Sequence, residues 1–189
     1  MNSVRDGSAH VFESRPELLV LTILDADQSV AHFQAQPETF ALPQARRYTP
    51  DVRIDFRSGQ RLYVDVKPVF RLVRDPDFDG RLSDIVAACA ARDASFEVWT
   101  EAFYWDRARL RNASLLRHAR RRSEPLHIDM VRVLLAGRAR ALVEIERELG
   151  LGIDGRFAAL ALCATGEAMC ARDLAIGPQT IIRLARESL

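Results

Sequence analysis

The chain has 189 residues, of which 48% are apolar, and its 27 basic and 26 acidic residues leave a net charge of +1. This apolar content supports a packed core and excludes a disordered chain, and the balanced charge excludes a polycation that binds nucleic acid through its overall charge. No apolar run approaches the roughly 20 residues of a membrane span and the first residues lack the apolar core of a signal peptide, so we expect a cytoplasmic protein without a membrane partner.

The N-terminal part of the chain predicts helices alternating with short strands. Residues 14–24 predict a buried helix, with Ser14 as its N-cap and Pro16 in its first turn. The later elements are predicted from apolar periodicity and turn residues. They are a strand within 29–37, a strand and loop within 38–47, a two-stranded hairpin within 52–66, a helix over 80–92, a strand within 95–100 and a helix over 106–122. This order predicts an α/β domain over residues 1–123.

From Pro125 onward the pattern is almost entirely helical. Three amphipathic helices are predicted over 127–136, 138–149 and 155–164. Two apolar runs then flank a turn at Gly177 and Pro178, which predicts a hairpin. Three helices followed by a hairpin are similar to a winged-helix module, so we expect a small helical C-terminal domain over 124–189.

The three cysteines, Cys89, Cys163 and Cys170, are an odd number without the spacing of a metal site. We expect them to be reduced and mostly buried thiols, as is usual in a cytosolic protein.

The hairpin within 52–66 has a register that its apolar pattern selects. Apolar and charged residues alternate in both strands, and a turn is expected at 58–60. A three-residue loop there pairs Ile54 with Val64 and puts the aliphatic and aromatic residues of the alternating pattern on one face. A slip by one residue would set apolar side chains opposite charged ones.

The other face of this predicted hairpin carries charged residues at its open end. Asp51 lies opposite Lys67, and Arg53 lies opposite Asp65, so the two aspartates become diagonal neighbours about 7–8 Å apart. Two carboxylates at that distance can share one Mg²⁺ with metal–oxygen distances of about 2.0–2.1 Å. The alternative is an ordinary solvent-exposed face with two cross-strand ion pairs, Asp51–Lys67 and Arg53–Asp65.

Lys67 is the single lysine among the 27 basic residues. An ammonium group is compact and flexible, can bind a phosphate oxygen or a water molecule, and can lose its proton, which a guanidinium does not do. This exception to the use of arginine indicates a position where arginine would not serve.

Four short motifs occur in order along the first 68 residues. They are SRPE at 14–17, FQAQP at 33–37, RRYTPD at 46–51 and VDVKP at 64–68. An acid after proline, a hairpin and then acid-x-lysine form the PD-(D/E)xK nuclease signature, which Asp51, Asp65 and Lys67 match. In combination the motifs resemble the TnsA-like transposon endonucleases. The resemblance is close over residues 12–68 and looser over 96–101.

The resemblance implies a restriction-endonuclease-like core, which is a mixed central sheet flanked by helices. It implies an endonuclease that uses Mg²⁺ or Mn²⁺ and nicks one strand of double-stranded DNA at transposon ends. The implied protein partners are a DDE-type transposase and an AAA+ regulator. Glu17, Asp51 and Asp65 would be catalytic metal ligands, and Lys67 would be the catalytic lysine.

Two positions depart from the family pattern or have another explanation. The position of Asp65 is more usually Glu or Gln, so a metal would sit nearer that strand. Glu17 also completes a capping box with Ser14, and Glu13 is the alternative helical carboxylate. Two other functions remain open: a restriction or repair nuclease on the same fold, and an inert DNA-docking module.

A run of arginines between residues 107 and 122 contains no acidic residue, which is typical of a phosphate-binding surface. Arg46 and Arg47, which lie just before Asp51, are further candidates for phosphate contacts. The predicted DNA-binding set is Arg46, Arg47, Arg107, Arg109, Arg111, Arg117, Arg120, Arg121 and Arg122.

Overall fold

The structure is a computed structural model that describes residues 1–3, 7–172 and 174–185. The helices are α1 Arg15–Ala26, α2 Val69–Val73, α3 Phe78–Ala90, α4 Glu101–Tyr104, α5 Arg107–Arg122, α6 Pro125–Gly137, α7 Leu142–Leu149 and α8 Ile153–Thr165. The strands are β1 Val30–Ala35, β2 Phe40–Ala41, β3 Arg47–Tyr48, β4 Val52–Phe56, β5 Arg61–Val66, β6 Ala94–Trp99, β7 Arg140–Ala141, β8 Ala168–Met169 and β9 Ile181–Leu184. None of the helices in these described ranges is both long and apolar enough to cross a membrane.

The chain divides into two compact units. The first comprises residues 1–3, 9–24 and 29–106, and the second comprises the described residues of 4–8, 25–28 and 107–189. The predicted boundary at 123/124 therefore lies one helix later than the boundary between these units. The reason is α5, which buries Ala113 and Leu116 and packs against α8 of the second unit.

The first unit contains a four-stranded mixed sheet in the order β1-β4-β5-β6. The first two pairs are antiparallel, and β5 pairs with β6 in parallel. The connection from β5 to the parallel β6 passes through α3, as a parallel pair requires a crossover. An α/β fold with a mixed sheet flanked by helices, as expected from the sequence, is confirmed at this level.

Different helices cover the two faces of this sheet. On one face, α1 packs through Leu21 and Leu24 against apolar residues of β1, β4 and β5. On the other face, α3 packs through Ile85 against Tyr63 of β5. Strand β5 is therefore buried on both faces, although it contains an aspartate.

The hairpin of β4 and β5 forms as predicted, but its predicted register is wrong by two residues. Ile54 lies opposite Leu62 and not opposite Val64. Gly59 adopts φ +87° and ends a three-residue loop at 57–59, one residue earlier than the predicted loop at 58–60. A glycine in the left-handed region at the last loop position is typical of such hairpins. A shift of two residues leaves every side chain on its predicted face.

The second unit has α5, α6 and α7 packed around α8, with a three-stranded sheet in the order β7-β9-β8. The helices predicted at 127–136 and 155–164 are confirmed as α6 and α8. The helix predicted over 138–149 begins only at Leu142, because Arg140–Ala141 pair with β9. The sequence does not predict α2 and α4, since five and four residues are too few to display a helical apolar period.

Candidate active site

The start of β4 and the end of β5 meet at one end of the first unit's sheet, because these strands are antiparallel. Asp51 directly precedes β4, and its Oδ2 accepts a 2.7 Å hydrogen bond from the backbone N–H of Val66. Continuing the observed register by one pair puts Asp51 across from Asp65 and not in the predicted diagonal position. The Lys67 ammonium donates a 2.6 Å hydrogen bond to Oδ2 of Asp65. Three of the four predicted catalytic residues thus lie together.

Asp65 is buried, which contradicts the interpretation of this face as solvent-exposed. Its side chain is only 3% exposed. The predicted cross-strand pairs are also wrong, because Lys67 pairs with Asp65 of its own strand, and Arg53 lies opposite Tyr63. The Arg53 guanidinium instead lies 3.3 Å from a carboxylate oxygen of Asp55. The two-residue shift in register accounts for these changes.

Tyr48 of β3 is a site residue that the sequence pattern does not predict. Its hydroxyl donates a hydrogen bond to Oδ1 of Asp65. Burial, followed by the charge of Asp65, raises the pKa of Tyr48 above its ordinary value, so the hydroxyl remains a donor. The available signal is the motif RRYTPD, in which Tyr48 precedes Asp51 by three residues.

Lys67 lies at the open side of the cluster. Its side chain is 29% exposed, and its ammonium lies 4.9 Å from the ring centroid of Phe78 in α3. Its backbone N–H donates a 3.0 Å hydrogen bond to the carbonyl of Trp99, which fixes the end of β5 against β6. The ammonium can therefore interact with a ligand that approaches from solvent while it stays anchored to Asp65.

Negative charge accumulates around Asp51. Burial, followed by the charge of Asp65, raises the pKa of Asp51 to about 6, and the charge of Glu17 acts in the same direction. The hydrogen bond from Val66 and the positive charge of Lys67 oppose the shift without cancelling it. This environment favours the binding of a cation or a proton at Asp51.

Glu17 lies in the first turn of α1 and is engaged in capping that helix. Its Oε1 accepts a 2.7 Å hydrogen bond from the Ser14 hydroxyl, and its Oε2 accepts a 2.8 Å bond from the Glu13 amide. The Ser14 hydroxyl in turn accepts from the Glu17 amide at 3.3 Å. The capping interaction expected of Glu17 is therefore present, with the amide of Glu13 in place of that of Ser14. Glu13 itself is exposed.

The donors suit a hard divalent cation in chemistry and charge. Asp51 and Asp65 supply carboxylate oxygens, which Mg²⁺ and Mn²⁺ prefer, and burial together with the charge of Asp65 raises the pKa of Asp51. A carboxylate has about four lone-pair sites, so the bonds from Tyr48 and Lys67 leave Asp65 able to bind a metal. Within residues 1–3, 7–172 and 174–185, however, no three His, Cys, Asp or Glu side chains are close enough to form a metal cluster. Glu17 is thus near the pair electrostatically without completing a three-carboxylate site.

The nine arginines predicted to bind DNA differ in their environments. Arg46 pairs with Asp84 of α3, and Arg117 pairs at 2.8 Å with the fully buried carboxylate of Asp25. These two guanidinium groups have structural roles within their units. Of the other seven, Arg120 is half-buried, and the exposed ones are Arg47, Arg107, Arg109, Arg111, Arg121 and Arg122.

The chain matches no protein-family model and no curated protein sequence. Its function is therefore inferred from the side chains gathered at the end of β5 and from the motifs that they belong to.

Proposed function

We propose that this chain is a Mg²⁺-dependent DNA endonuclease that hydrolyses phosphodiester bonds and nicks one strand at transposon ends, beside a DDE-type transposase. The observation that supports it best is the meeting of Asp51, Asp65 and Lys67 at one end of the sheet, where burial and excess negative charge raise the pKa of Asp51 to about 6. On the proposed fold, which is restriction-endonuclease-like, these residues form the catalytic centre.

Each residue has a role that its contacts permit. Asp51 and Asp65 would hold the metal ion, which when bound neutralises phosphate charge and lowers the pKa of a water molecule. The Lys67 ammonium orients the attacking water or stabilises the negative charge that develops on the phosphorus oxygens. Tyr48 keeps Asp65 in one orientation through its hydroxyl. No covalent intermediate is required.

Nicking of a supercoiled plasmid tests this proposal. With Mg²⁺ the wild-type chain should convert supercoiled plasmid to open circles, and a chelator should prevent this. Asp51→Asn and Lys67→Ala should each lower the rate on the order of 100-fold, as removal of a group that stabilises the transition state does. Asp55→Asn is the matched control. Asp55 lies on β4 outside the cluster, and its carboxylate lies 2.6 Å from the Arg61 guanidinium. Equal rates for all four proteins would eliminate this site.

A catalytically inert DNA-docking module is the second candidate. The observation that favours it is Glu17, whose two carboxylate oxygens both accept hydrogen bonds at the start of α1. Ser14→Ala removes the cap and keeps the Glu17 charge, whereas Glu17→Gln removes the charge and keeps an acceptor. If Glu17 binds metal, only Glu17→Gln lowers the nicking rate. If both substitutions lower stability and neither the wild-type chain nor either variant nicks DNA with Mg²⁺, Glu17 is only a cap and the inert module is favoured.

A restriction or repair nuclease on the same fold is distinguished by genetic context. A transposase gene beside the gene of this chain favours transposition, and a methyltransferase gene in that place favours restriction.

The second unit is proposed to bind a protein partner, either the transposase or an AAA+ regulator. Its element order is compatible with a winged-helix module, in which the third helix enters the major groove. The third helix here is α8, which is buried throughout 158–164 and packed by α5, α6 and α7, so its exposed residues, Ile153, Asp154 and Thr165, lie only at its two ends. Helix α6 exposes Leu126 and Val133. Changing both to glutamate should abolish binding of the purified transposase and leave DNA binding by the chain unchanged.

A further inference from the structure

An exposed apolar surface borders the candidate active site in the first unit. Four side chains form this surface, which we call the apolar rim: Val69, Phe70 and Val73 of α2, and Trp105, which directly follows α4. Phe70 is 55% exposed and Trp105 is 49% exposed, and α2 contains no buried residue. Packing of the core therefore does not account for these large apolar side chains, and a cluster of this kind is typical of a binding surface.

Glu101 connects both parts of the apolar rim to the end of β5. Its Oε2 accepts a 2.9 Å hydrogen bond from the amide of Val69, at the start of α2. Its backbone carbonyl accepts a 2.9 Å hydrogen bond from the amide of Trp105, one helical turn later. Val69 follows Lys67 by two residues, and the Lys67 amide bonds to the carbonyl of Trp99, just before α4. The apolar rim thus lies at the end of the sheet that holds the candidate active site.

Guanidinium groups accompany the two rings of the apolar rim. The guanidinium carbon of Arg15, the first residue of α1, lies 5.5 Å from the ring centroid of Trp105, and that of Arg74 lies 5.9 Å from the ring centroid of Phe70. Arg71 of α2 is exposed as well. Among the residues that the structure describes, no carboxylate forms an ion pair with any of these three arginines. Their positive charge is therefore available to an anionic ligand.

This combination suits unpaired nucleotides. In a duplex, neighbouring base pairs cover the faces of each base, whereas an unpaired base can stack on an aromatic ring. The phosphates of the same strand attract guanidinium groups.

We propose that the apolar rim binds unpaired bases of DNA beside the scissile phosphate. Trp105 and Phe70 are the stacking residues, and Arg15, Arg71 and Arg74 contact the phosphates. The inference rests on the proposed function for its ligand, DNA, and adds that the preferred substrate is locally unpaired.

The chain has two tryptophans, and Trp99 is the internal control for Trp105. The Trp99 ring stacks on Phe103 with centroids 3.7 Å apart, and its Nε1 donates a 2.7 Å hydrogen bond to Glu97. Trp99→Phe leaves Trp105 as the sole indole fluorophore, and Trp105→Phe leaves Trp99. A single-stranded thymidine oligonucleotide, added at low salt with a chelator, should quench the emission of Trp105 several-fold more than that of Trp99, because a base stacks on Trp105 alone.

Substitutions in the apolar rim test the contribution of stacking to affinity. Trp105→Ala and Phe70→Ala should each weaken binding of the same oligonucleotide on the order of 10-fold, as the loss of one base–aromatic stack does. Val86→Ala is the matched control, since Val86 of α3 is an exposed apolar residue outside the apolar rim, and it should leave the affinity unchanged. The wild type should also bind a duplex with an internal unpaired bubble more tightly than the fully paired duplex.

Four results would overturn the inference. They are no binding of the oligonucleotide to the wild type at low salt, equal quenching of the two tryptophans, equal affinity of the wild type for the bubble and the paired duplex, and quenching of Trp105 by purified transposase but not by DNA. The last result would assign the apolar rim to a protein interface. Binding is measured with a chelator, so it is separate from cleavage. A chain that nicks plasmid without preferring unpaired DNA would contradict this inference alone, and a chain that prefers unpaired DNA but never nicks would contradict the nuclease proposal alone.

Discussion

Asp51 ionises in surroundings that disfavour its charge, since burial and the carboxylates of Asp65 and Glu17 raise its pKa from 3.8 to about 6. The folded protein therefore holds a proton at Asp51 more tightly than the unfolded chain does. The stability that this proton contributes is fully present below about pH 4 and is lost as the pH rises through about 6. Above that pH, the metal-free protein retains an unfavourable negative charge at the site.

Asp51→Asn should make the metal-free protein more stable at pH 8. The shift of about two pKa units corresponds to an increase of about 1–3 kcal/mol in the free energy of unfolding. Asparagine keeps an oxygen that can accept from the Val66 amide, so that bond is preserved. Urea unfolding in the presence of a chelator measures the effect at pH 8, and the difference should vanish below pH 4. A variant less stable than wild type at pH 8 would contradict the assigned electrostatics.

Magnesium should reverse this order of stability. A ligand that binds the folded state alone stabilises it by mass action, so Mg²⁺ should raise the unfolding free energy of the wild type. The Asp51→Asn variant lacks one charged ligand, so Mg²⁺ should raise its unfolding free energy much less. An equal increase in the unfolding free energy of both proteins would show that Mg²⁺ binds at a site other than Asp51.

Tyr48→Phe should affect both stability and activity. It removes the hydroxyl that donates to Oδ1 of Asp65, and the buried carboxylate then lacks this donor at a cost of about 1–3 kcal/mol. Tyr63→Phe is the matched control, because its hydroxyl bonds Glu38, whose side chain is 39% exposed and can be satisfied by water. We expect the nicking rate to fall for Tyr48→Phe alone. Equal rates for the two variants would remove Tyr48 from the site.

At the scale of elements, the hairpin of β4 and β5 aligns Asp51 with Asp65, and Gly59 sets its register. A side chain at φ +87° is strained, so Gly59→Ala should lower the unfolding free energy by about 1–2 kcal/mol. Gly80 lies inside α3 with no atom within 4 Å of an added Cβ, so Gly80→Ala should raise the unfolding free energy by about 0.5–1 kcal/mol. Urea denaturation of both variants checks the opposite signs. A neutral Gly59→Ala would show that the turn does not fix the register.

The longer elements and the faces of the hairpin could be predicted from the sequence, because apolar periodicity is a local property. The register could not, since it depends on which loop residue adopts the left-handed conformation. The burial of Asp65 depends on α3, which packs on that face through Ile85, 20 residues later in the sequence. The bond from Tyr48 to Asp65 likewise joins residues 17 positions apart. Contacts of this kind leave no periodic signal in the chain.

At the scale of the whole molecule, a net charge of +1 means that DNA affinity must come from a local patch. Helix α5 supplies the strongest candidate, since it buries Ala113 and Leu116 and exposes arginines including Arg107, Arg111 and Arg122. Because α5 belongs to the second compact unit, that unit carries the proposed phosphate-binding surface.

The salt dependence of DNA binding tests this surface. Replacing Arg107, Arg111 and Arg122 by alanine should reduce the slope of log affinity against log salt concentration by about 0.9 for each phosphate that is no longer neutralised. Arg46→Ala should leave the slope unchanged, because the Arg46 guanidinium already pairs with Asp84. Fluorescence anisotropy with labelled duplex DNA over a series of KCl concentrations measures both. An unchanged slope for the triple variant would exclude α5 as the DNA-binding helix.

A crystal soaked in Mn²⁺ shows, without any partner protein, whether Asp51 and Asp65 hold a divalent cation beside Lys67. We expect an anomalous-scattering peak bonded to oxygens of both carboxylates, at distances of about 2.0–2.3 Å. A crystal with Mn²⁺ bound only at other positions, or with no peak at saturating Mn²⁺, would exclude a metal site at Asp51 and Asp65.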